Sequence, residues 1–116
     1  MFFIMAKKNE NGHKFNKLYA KYLSNARKRD LIFEIDETRF KEIIISPCYY
    51  CGEIPDNPYS QHNKKIFNYT GIDRVDSSRG YFESNIVPCC KICNRFKLDM
   101  SYEKFTEWII NLHNRI

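Results

Sequence analysis

The chain has 116 residues, of which 43% are hydrophobic, and a formal net charge of +5 at pH 7. This length suits one domain over residues 1–116 with a limited core, so a structural metal would add useful stability. No segment has the apolar length of a membrane span, and the short apolar start Met1–Met5 is followed, not preceded, by lysines, which argues against a signal peptide. We therefore expect an intracellular protein of the reducing cytoplasm or nucleus, with no membrane partner.

Positive charge is concentrated near the start of the sequence. Residues 1–30 contain eight of the nineteen Lys and Arg residues, Lys7 and Lys8 among them, but only two of the fourteen acidic residues. A basic segment beside a nearly neutral remainder suits a polyanionic partner, because binding phosphates releases condensed counterions. Charge alone gives equal weight to a solvated lysine face that keeps the chain soluble.

The first predicted element is a helix over residues 14–29. Phe15, Leu18 and Tyr22 recur at spacings of three and four, so they share one apolar face. A second face of the same helix is basic, and we predict that it contacts nucleic acid. The residues of this basic face are Lys14, Lys17, Lys21 and Lys28.

An extended link at residues 31–35 leads to a second, shorter helix. Asp36 is its expected N-cap, and Pro47 ends it. The buried side of this helix is predicted to consist of Phe40, Ile43 and Ile44.

Loops and strands are predicted to alternate through the next part of the chain. In order, these are a loop to about residue 65, a strand at 67–75, a turn at 76–80 and a strand at 85–88. The chain closes with a helix that Ser101 caps, and the apolar face of this helix carries Phe105, Trp108, Ile109 and Leu112.

Four of the five cysteines form two Cys-x-x-Cys pairs, Cys48/Cys51 and Cys90/Cys93. This spacing is typical of a tetrahedral zinc site, and four thiolate ligands leave no open position, so the zinc is predicted to be structural. A redox-active pair or free buried thiols are the alternatives. Cys89 is predicted to be a small buried apolar side chain.

A wider set of motifs surrounds these cysteines. The segment Gly71-Ile72-Asp73-Arg74-Val75-Asp76 is followed by Gly80-Tyr81 and then by Asn85-Ile86-Val87-Pro88-Cys89-Cys90-Lys91-Ile92-Cys93-Asn94-Arg95-Phe96-Lys97. Over roughly residues 18–110 the chain resembles the HNH endonucleases, in particular the cysteine-bearing branch found in phages, large DNA viruses and mobile elements.

The resemblance implies an α+β fold, a small ββα-metal domain of treble-clef-like form with flanking N- and C-terminal helices. Residues 1–46 would form the basic helical region, residues 47–100 the ββα core with its four-cysteine zinc knuckle, and residues 101–116 the C-terminal helix.

Site residues also follow from the resemblance. Asp73 and Asn94 would be ligands of a catalytic divalent ion, Mg²⁺ or Mn²⁺, because carboxylate and amide oxygens suit hard cations. The side chain of Asn85 would hold the loop of the hairpin in shape. Arg95 and Lys97 are candidate phosphate ligands, with a solvated helix face as the alternative.

One position departs from the family pattern. The family has a histidine after the aspartate, where it acts as the general base, and this chain has Arg74. Arginine does not release its proton at ordinary pH, so it cannot replace that base. Tyr81, His62 and Asp76 are the remaining candidates for the base, with packing, loop and turn roles as their respective alternatives.

These features predict a metal-dependent endonuclease that nicks DNA, with double-stranded DNA as its partner. A catalytically inactive module of the same fold, which binds nucleic acid, is the alternative. A third possibility is a structural zinc protein within a larger assembly, because a fold alone does not determine function.

Overall fold

The computed structural model describes residues 14–116, so the predictions for Met1–Met5, Lys7 and Lys8 lie outside it. Within residues 14–116 we number the helices α1 (Asn16–Lys28), α2 (Glu37–Ile44), α3 (Lys91–Lys97) and α4 (Tyr102–Arg115). The strands are β1 (Asn57–Gln61), β2 (Lys64–Tyr69), β3 (Gly71–Arg74) and β4 (Ile86–Cys89). No helix in this part of the chain is long and apolar enough to cross a membrane.

The two helices at the start of the described chain agree with their predictions. Helix α1 buries Leu18 and Ala26, and its partly buried tyrosines pack against the same core. The Asp36 carboxylate caps α2 by accepting a hydrogen bond of 2.8 Å from the backbone N–H of Arg39. Helix α2 buries its predicted apolar side completely, with Phe40, Ile43 and Ile44 at most 1% exposed.

The predicted loop before residue 65 is wrong, because β1 and β2 form an antiparallel hairpin there. His62 and Asn63 make its turn and have φ angles of 53° and 63°, the left-handed values that tight hairpin turns require. Pro58 is tolerated because each strand of a two-stranded sheet is an edge strand. The hairpin contributes Phe67 to the core, where its ring lies 4.7 Å from that of Phe15.

Strands β3 and β4 form a second antiparallel pair, in which Asp73 lies opposite Val87 and Arg74 opposite Ile86. A short 3₁₀ helix at Glu83–Asn85 precedes β4. The turn predicted at residues 76–80 therefore connects β3 to the approach to β4, and α3 follows β4 directly. This order, strand, strand and helix, is the ββα unit that carries the candidate site.

Helix α4 begins as predicted, because the Ser101 hydroxyl accepts a hydrogen bond of 3.1 Å from the N–H of Lys104. Its apolar face is only partly covered. Phe105 is buried, while Trp108, Ile109 and Leu112 are 39%, 41% and 44% exposed.

The segment before α2 contacts the end of the β3–β4 loop. The N–H of Tyr81 donates to the carbonyl of Ile32, and the carbonyl of Tyr81 accepts from the N–H of Glu34, both at 2.7 Å. This approach requires glycine at position 80, since a Cβ atom there would lie 2.5 Å from the carbonyl oxygen of Ile32 and 2.8 Å from its nitrogen.

We therefore expect Gly80→Ala to lower the free energy of unfolding by about 1–3 kcal/mol, because two backbone segments must separate to make room for the methyl group. Urea unfolding followed by circular dichroism measures this. Ser84→Ala, at an exposed position near the same loop, is the control and should change stability by less than about 0.5 kcal/mol. Equal stability of Gly80→Ala and wild type would contradict the close approach.

Candidate functional site

The four predicted zinc ligands meet at one point of the structure. The sulfur atoms of Cys48, Cys51, Cys90 and Cys93 all lie within 4.8 Å of one another. The sulfurs of Cys51 and Cys90 are 3.7 Å apart although 39 positions separate these residues in the chain. This cluster can hold a metal ion.

Backbone hydrogen bonds set up both cysteine pairs. The N–H of Gly52 donates to the carbonyl of Cys48 at 2.9 Å, and Gly52 has a φ of 78°, which glycine adopts without strain. The N–H of Tyr49 donates to the carbonyl of Pro88 at 2.8 Å, so the first pair is joined to β4 just before the second pair. Cys90 is the N-cap of α3, and its sulfur accepts from the N–H of Cys93.

The thiols differ in how readily they ionise. Burial acts to raise the pKa of Cys48, but N–H groups of Cys51 and Cys90 that point at its sulfur lower the pKa to about 7. Burial, followed by hydrogen bonding with Cys90, raises the pKa of Cys93. Metal binding requires thiolates, so an ion would displace protons from the thiols, and it would do so more readily at Cys48 than at Cys93.

Cys89 is not one of the four clustered ligands, although its thiol lies near that of Cys48. It is 1% exposed, and its thiol donates to the carbonyl of Cys90 at 3.4 Å. Burial, first, and the nearby Asp73 charge raise the pKa of Cys89, so it behaves as the small buried side chain expected from the sequence.

A cleft of about 490 Å³ lies between the end of β3, the loop after it and α3, and Asn94 at its edge directly follows Cys93 of the cysteine cluster. Asp73, Arg74, Asn94 and Arg95, which the sequence singled out, all border this cleft. Of the described residues around it, Asp73 is the one acid, whereas its cations are Arg29, Arg74, Lys91 and Arg95. The cleft is therefore suited to a polyanion.

Asp73 is 5% exposed and is held from two sides. The Tyr50 hydroxyl donates to its Oδ2 at 2.7 Å, and the Lys97 ammonium lies 3.2 Å from Oδ2 and 3.5 Å from Oδ1. Burial, followed by the hydrogen bond to Asp73, raises the pKa of Tyr50, so this hydroxyl stays protonated and remains a donor.

The prediction that Lys97 is a surface ligand of phosphate is wrong. Its side chain is 0% exposed and pairs with Asp73. The last turn of α3 lies against β3 at Asp73, so position 97 is on the side of the helix that faces this strand. Arg95, on the same helix, is exposed and borders the cleft.

Asn85 and Arg74 both hold the loop between β3 and β4. The Asn85 amide is buried; its oxygen accepts from the N–H of Asp76 at 2.9 Å and its nitrogen donates to the carbonyls of Asp76 and Gly80 at 3.0 and 2.9 Å. Arg74 donates through Nη1 to the carbonyls of Ser77 and Arg79. These contacts are those of residues that keep the loop in shape.

The three candidates for the general base lie in different surroundings. Tyr81 borders the cleft, and the Arg74 guanidinium lies 5.4 Å from the centre of its ring. His62 is exposed at the tip of the β1–β2 hairpin and does not border the cleft. Asp76 shapes the turn, and hydrogen bonds from the hydroxyl and N–H of Ser78 lower its pKa.

A second depression, of about 290 Å³, continues the cleft along α1 and includes Lys21, Asn25 and Arg29. Arg29 and Asn94 border both the cleft and this depression, so the cleft and the depression form one groove. The predicted basic face is exposed, and it adjoins the groove at Lys21. The Lys14 ammonium lies 5.2 Å from the centre of the Phe15 ring. Lys17 and Lys28 lie on the same face of α1, because about 100° separates successive residues of a helix.

Three residues at the site, Arg29, Lys91 and Tyr50, are not among those predicted from the sequence. Lys91 lies four residues before Arg95 and Arg29 eight residues after Lys21, so helical spacing could have grouped each with a cation already selected. Tyr50 lies between two cysteines, and its contact with Asp73 depends on the tertiary packing.

No protein-family model matches the chain. A stretch of 81 residues, 70% of this chain, is 38% identical to the uncharacterized protein R423 of Acanthamoeba polyphaga mimivirus and spans 14% of the length of that protein. Among solved structures, the rare-cutting HNH restriction endonuclease PacI, described as perturbing DNA, aligns with a TM-score of 0.59 and 24% identity over 75% of this chain and 68% of PacI. At this identity the likeness shows a shared fold, so the predicted α+β fold of the ββα-metal type is confirmed.

Proposed function

We propose that this protein is a metal-dependent DNA endonuclease of the HNH type that nicks double-stranded DNA. The observation that carries the proposal is the basic cleft beside the four-cysteine cluster, where Asp73 and Asn94 lie among four cations. PacI, which shares the fold, is described as a restriction endonuclease that perturbs DNA. That description supports DNA as the substrate.

Zinc is the ion that fits the four cysteines. Tetrahedral zinc holds sulfurs at ~2.3 Å, which places them about 3.8 Å from one another. The 3.7 Å between the sulfurs of Cys51 and Cys90 agrees with this distance, and all four sulfurs lie within 4.8 Å of one another. With four sulfur ligands the ion has no open position, so its role is to stabilise the fold.

The oxygen donors of Asp73 and Asn94 suit a second, harder ion such as Mg²⁺ or Mn²⁺. Oδ1 of Asp73 is the oxygen that Tyr50 does not occupy, and Asn94 is exposed on α3 at the same cleft. When bound, such an ion would lower the pKa of a bound water and stabilise negative charge on the phosphate.

The residues of the chain would bind and orient the phosphate. Within the described part of the chain the hydrogen bonds of Arg74 to the loop use Nη1, which leaves its other N–H groups for phosphate oxygens. Because the loop contacts fix the guanidinium in place, Arg74 is a preorganised clamp for charge that develops in the transition state. Arg29, Lys91 and Arg95 would bind the flanking phosphates.

Tyr81 is the candidate base that we favour, since it borders the cleft while His62 does not and Asp76 is engaged by Ser78. Direct removal of the proton by solvent is the other route, because a metal-bound water needs less assistance.

A binding module without catalysis is the second candidate function. The observation in its favour is that Asp73 is already paired with Lys97 and Tyr50, while Arg74 stands where the family has its base. Such a protein would bind DNA through the same groove and leave it intact.

We expect one tightly bound zinc per chain. Cys93→Ala should lose the zinc and much of the free energy of unfolding, because metal binding is coupled to folding. Metal analysis of purified protein measures the zinc content, and thermal unfolding measures the loss of stability. Cys89→Ala is the matched control, since Cys89 is buried outside the cluster, and it should keep its zinc. Folded wild-type protein without zinc would contradict the assignment.

We expect wild-type protein to nick supercoiled plasmid with Mg²⁺ or Mn²⁺, and Asp73→Asn and Asn94→Ala to abolish nicking while DNA binding largely survives. Asparagine is preferred to alanine at position 73 because it leaves polar atoms for the buried Lys97 and for Tyr50. Asp56→Ala, which removes an exposed acid outside the cleft, is the control and should nick like wild type.

Two outcomes would count against the endonuclease. Wild type that binds DNA but never nicks it would favour the binding module. Nicking that persists in Asp73→Asn would mean that the active site lies elsewhere.

We expect Lys21→Gln with Arg29→Gln to weaken DNA binding and to reduce the slope of log affinity against log salt by about 0.9 for each phosphate that the variant no longer neutralises. Binding titrations at several salt concentrations measure this. Lys64→Gln with Lys65→Gln removes the same charge from exposed positions on β2 and is the control. If both pairs changed the slope equally, the groove would not be the path of the DNA.

A further inference from the structure

The Asp73 carboxylate lies in a strongly positive environment. The Lys97 ammonium is 3.2 Å and 3.5 Å from its two oxygens. Arg29, Arg74, Lys91 and Arg95 border the same cleft, and Asp73 is the one acid among the described residues that do so. The site proposed for a divalent cation therefore carries an excess of positive charge before nucleic acid binds.

Lys97 contributes most to this excess at Asp73. Its side chain is 0% exposed, so water screens its charge little, and an ion bound to Oδ1 would lie within a few ångströms of the ammonium. Arg29, Lys91 and Arg95 are exposed, so solvent and salt screen their charges better. Lys97 neutralises the carboxylate that would attract the ion and also repels the ion directly.

A phosphodiester would reverse this balance. Its negative charge would lie among the cations of the cleft, and its oxygens would add hard ligands to those of Asp73 and Asn94. The free site is thus poor for a cation and good for an anion, whereas the phosphate-bound site is good for a cation.

We propose that the divalent ion and nucleic-acid phosphate bind this site cooperatively, with Lys97 as the positioning residue that keeps the site weak for cations until the phosphate is present. The proposal rests on the proposed function, because it needs Asp73 as a metal ligand. The coupling is reciprocal, so the ion must raise the affinity for nucleic acid by the same factor.

A variant of Tyr50 distinguishes the orientation of the Asp73 carboxylate from the effect of the Lys97 charge. Its hydroxyl holds Oδ2 of Asp73 at 2.7 Å but carries no charge. Removing it should loosen the carboxylate, whereas removing Lys97 changes the electrostatic balance of the site.

The test measures the affinity of the full, zinc-loaded chain for Mn²⁺, with and without a DNA duplex. Electron paramagnetic resonance reports the concentration of free Mn²⁺. The duplex has methylenephosphonate linkages in place of phosphodiesters. These linkages keep their negative charge and resist hydrolysis at the bridging carbon. We expect the duplex to raise the Mn²⁺ affinity on the order of tenfold to a hundredfold, and Mn²⁺ to raise the duplex affinity by the same factor. Equal Mn²⁺ affinity in the two states would overturn the proposal.

Lys97→Met should raise the Mn²⁺ affinity of the free protein and shrink the coupling factor. Lys104→Met removes an exposed lysine of α4 outside the cleft and should change neither quantity. Tyr50→Phe should keep the coupling factor close to that of wild type. Should Lys97→Met fail to fold, Lys97→Gln replaces it, because its amide removes the charge while it can still donate to the buried Asp73.

Asp73→Asn distinguishes failure of this proposal from failure of the proposed function. If Asp73→Asn leaves Mn²⁺ binding unchanged with and without duplex, Asp73 is not a metal ligand and the proposed active site is wrong. If Asp73→Asn abolishes Mn²⁺ binding but wild type shows no coupling, the cooperative proposal alone is wrong.

Discussion

The convergence of four thiol sulfurs is the constraint on which the candidate site depends. It joins the segment after α2 to the segment after β4, and each segment supplies one partner of Asp73. Tyr50 lies between Cys48 and Cys51, and Lys97 lies on the helix that Cys90 caps. A change that disrupted this cluster would therefore disturb Asp73 as well as the stability of the fold.

The cysteine cluster also helps to explain how the small core tolerates the buried Lys97–Asp73 pair. Desolvating an ammonium and a carboxylate is costly, and their attraction compensates only when the geometry is good and the remaining hydrogen bonds are made. Strand β3 fixes the position of Asp73, and α3 fixes that of Lys97. The Tyr50 hydroxyl then satisfies Oδ2. Rigid elements held by the cysteine cluster thus supply the geometry that a buried pair requires.

Local signals predicted much of the fold, because caps and helical spacing act over a few residues. Asp36, Ser101 and the buried face of α2 were all predicted correctly for this reason. The β1–β2 hairpin was not predicted, because Pro58 and its polar neighbours are typical of a loop. The strand pair is favoured by packing that the sequence does not display, such as the stacking of Tyr59 on Phe67 across the hairpin and the contact of Phe67 with Phe15.

Within the candidate site, the cysteine spacing predicted the metal cluster because each ligand pair is local in sequence. The partners of Asp73 could not be predicted in this way. Lys97 has the sequence appearance of a solvated helix residue, and its burial becomes visible only when α3 packs against β3. A contact between residues 24 positions apart leaves no periodic signal in the sequence.

The buried Lys97–Asp73 pair is better explained by binding or catalysis than by stability. Replacing a buried ion pair by well-packed apolar side chains is often neutral or stabilising, so a fold that needed only stability would gain little from such a pair. A pair that opens onto a basic cleft serves binding or catalysis better than it serves the core. Arg74 does not weaken this inference, since its bonds to the carbonyls of Ser77 and Arg79 give it a structural reason to occupy the position. Asp73 and Asn94 border the same cleft and Asn85 keeps the adjoining loop in shape, which is the arrangement on which the proposed endonuclease rests.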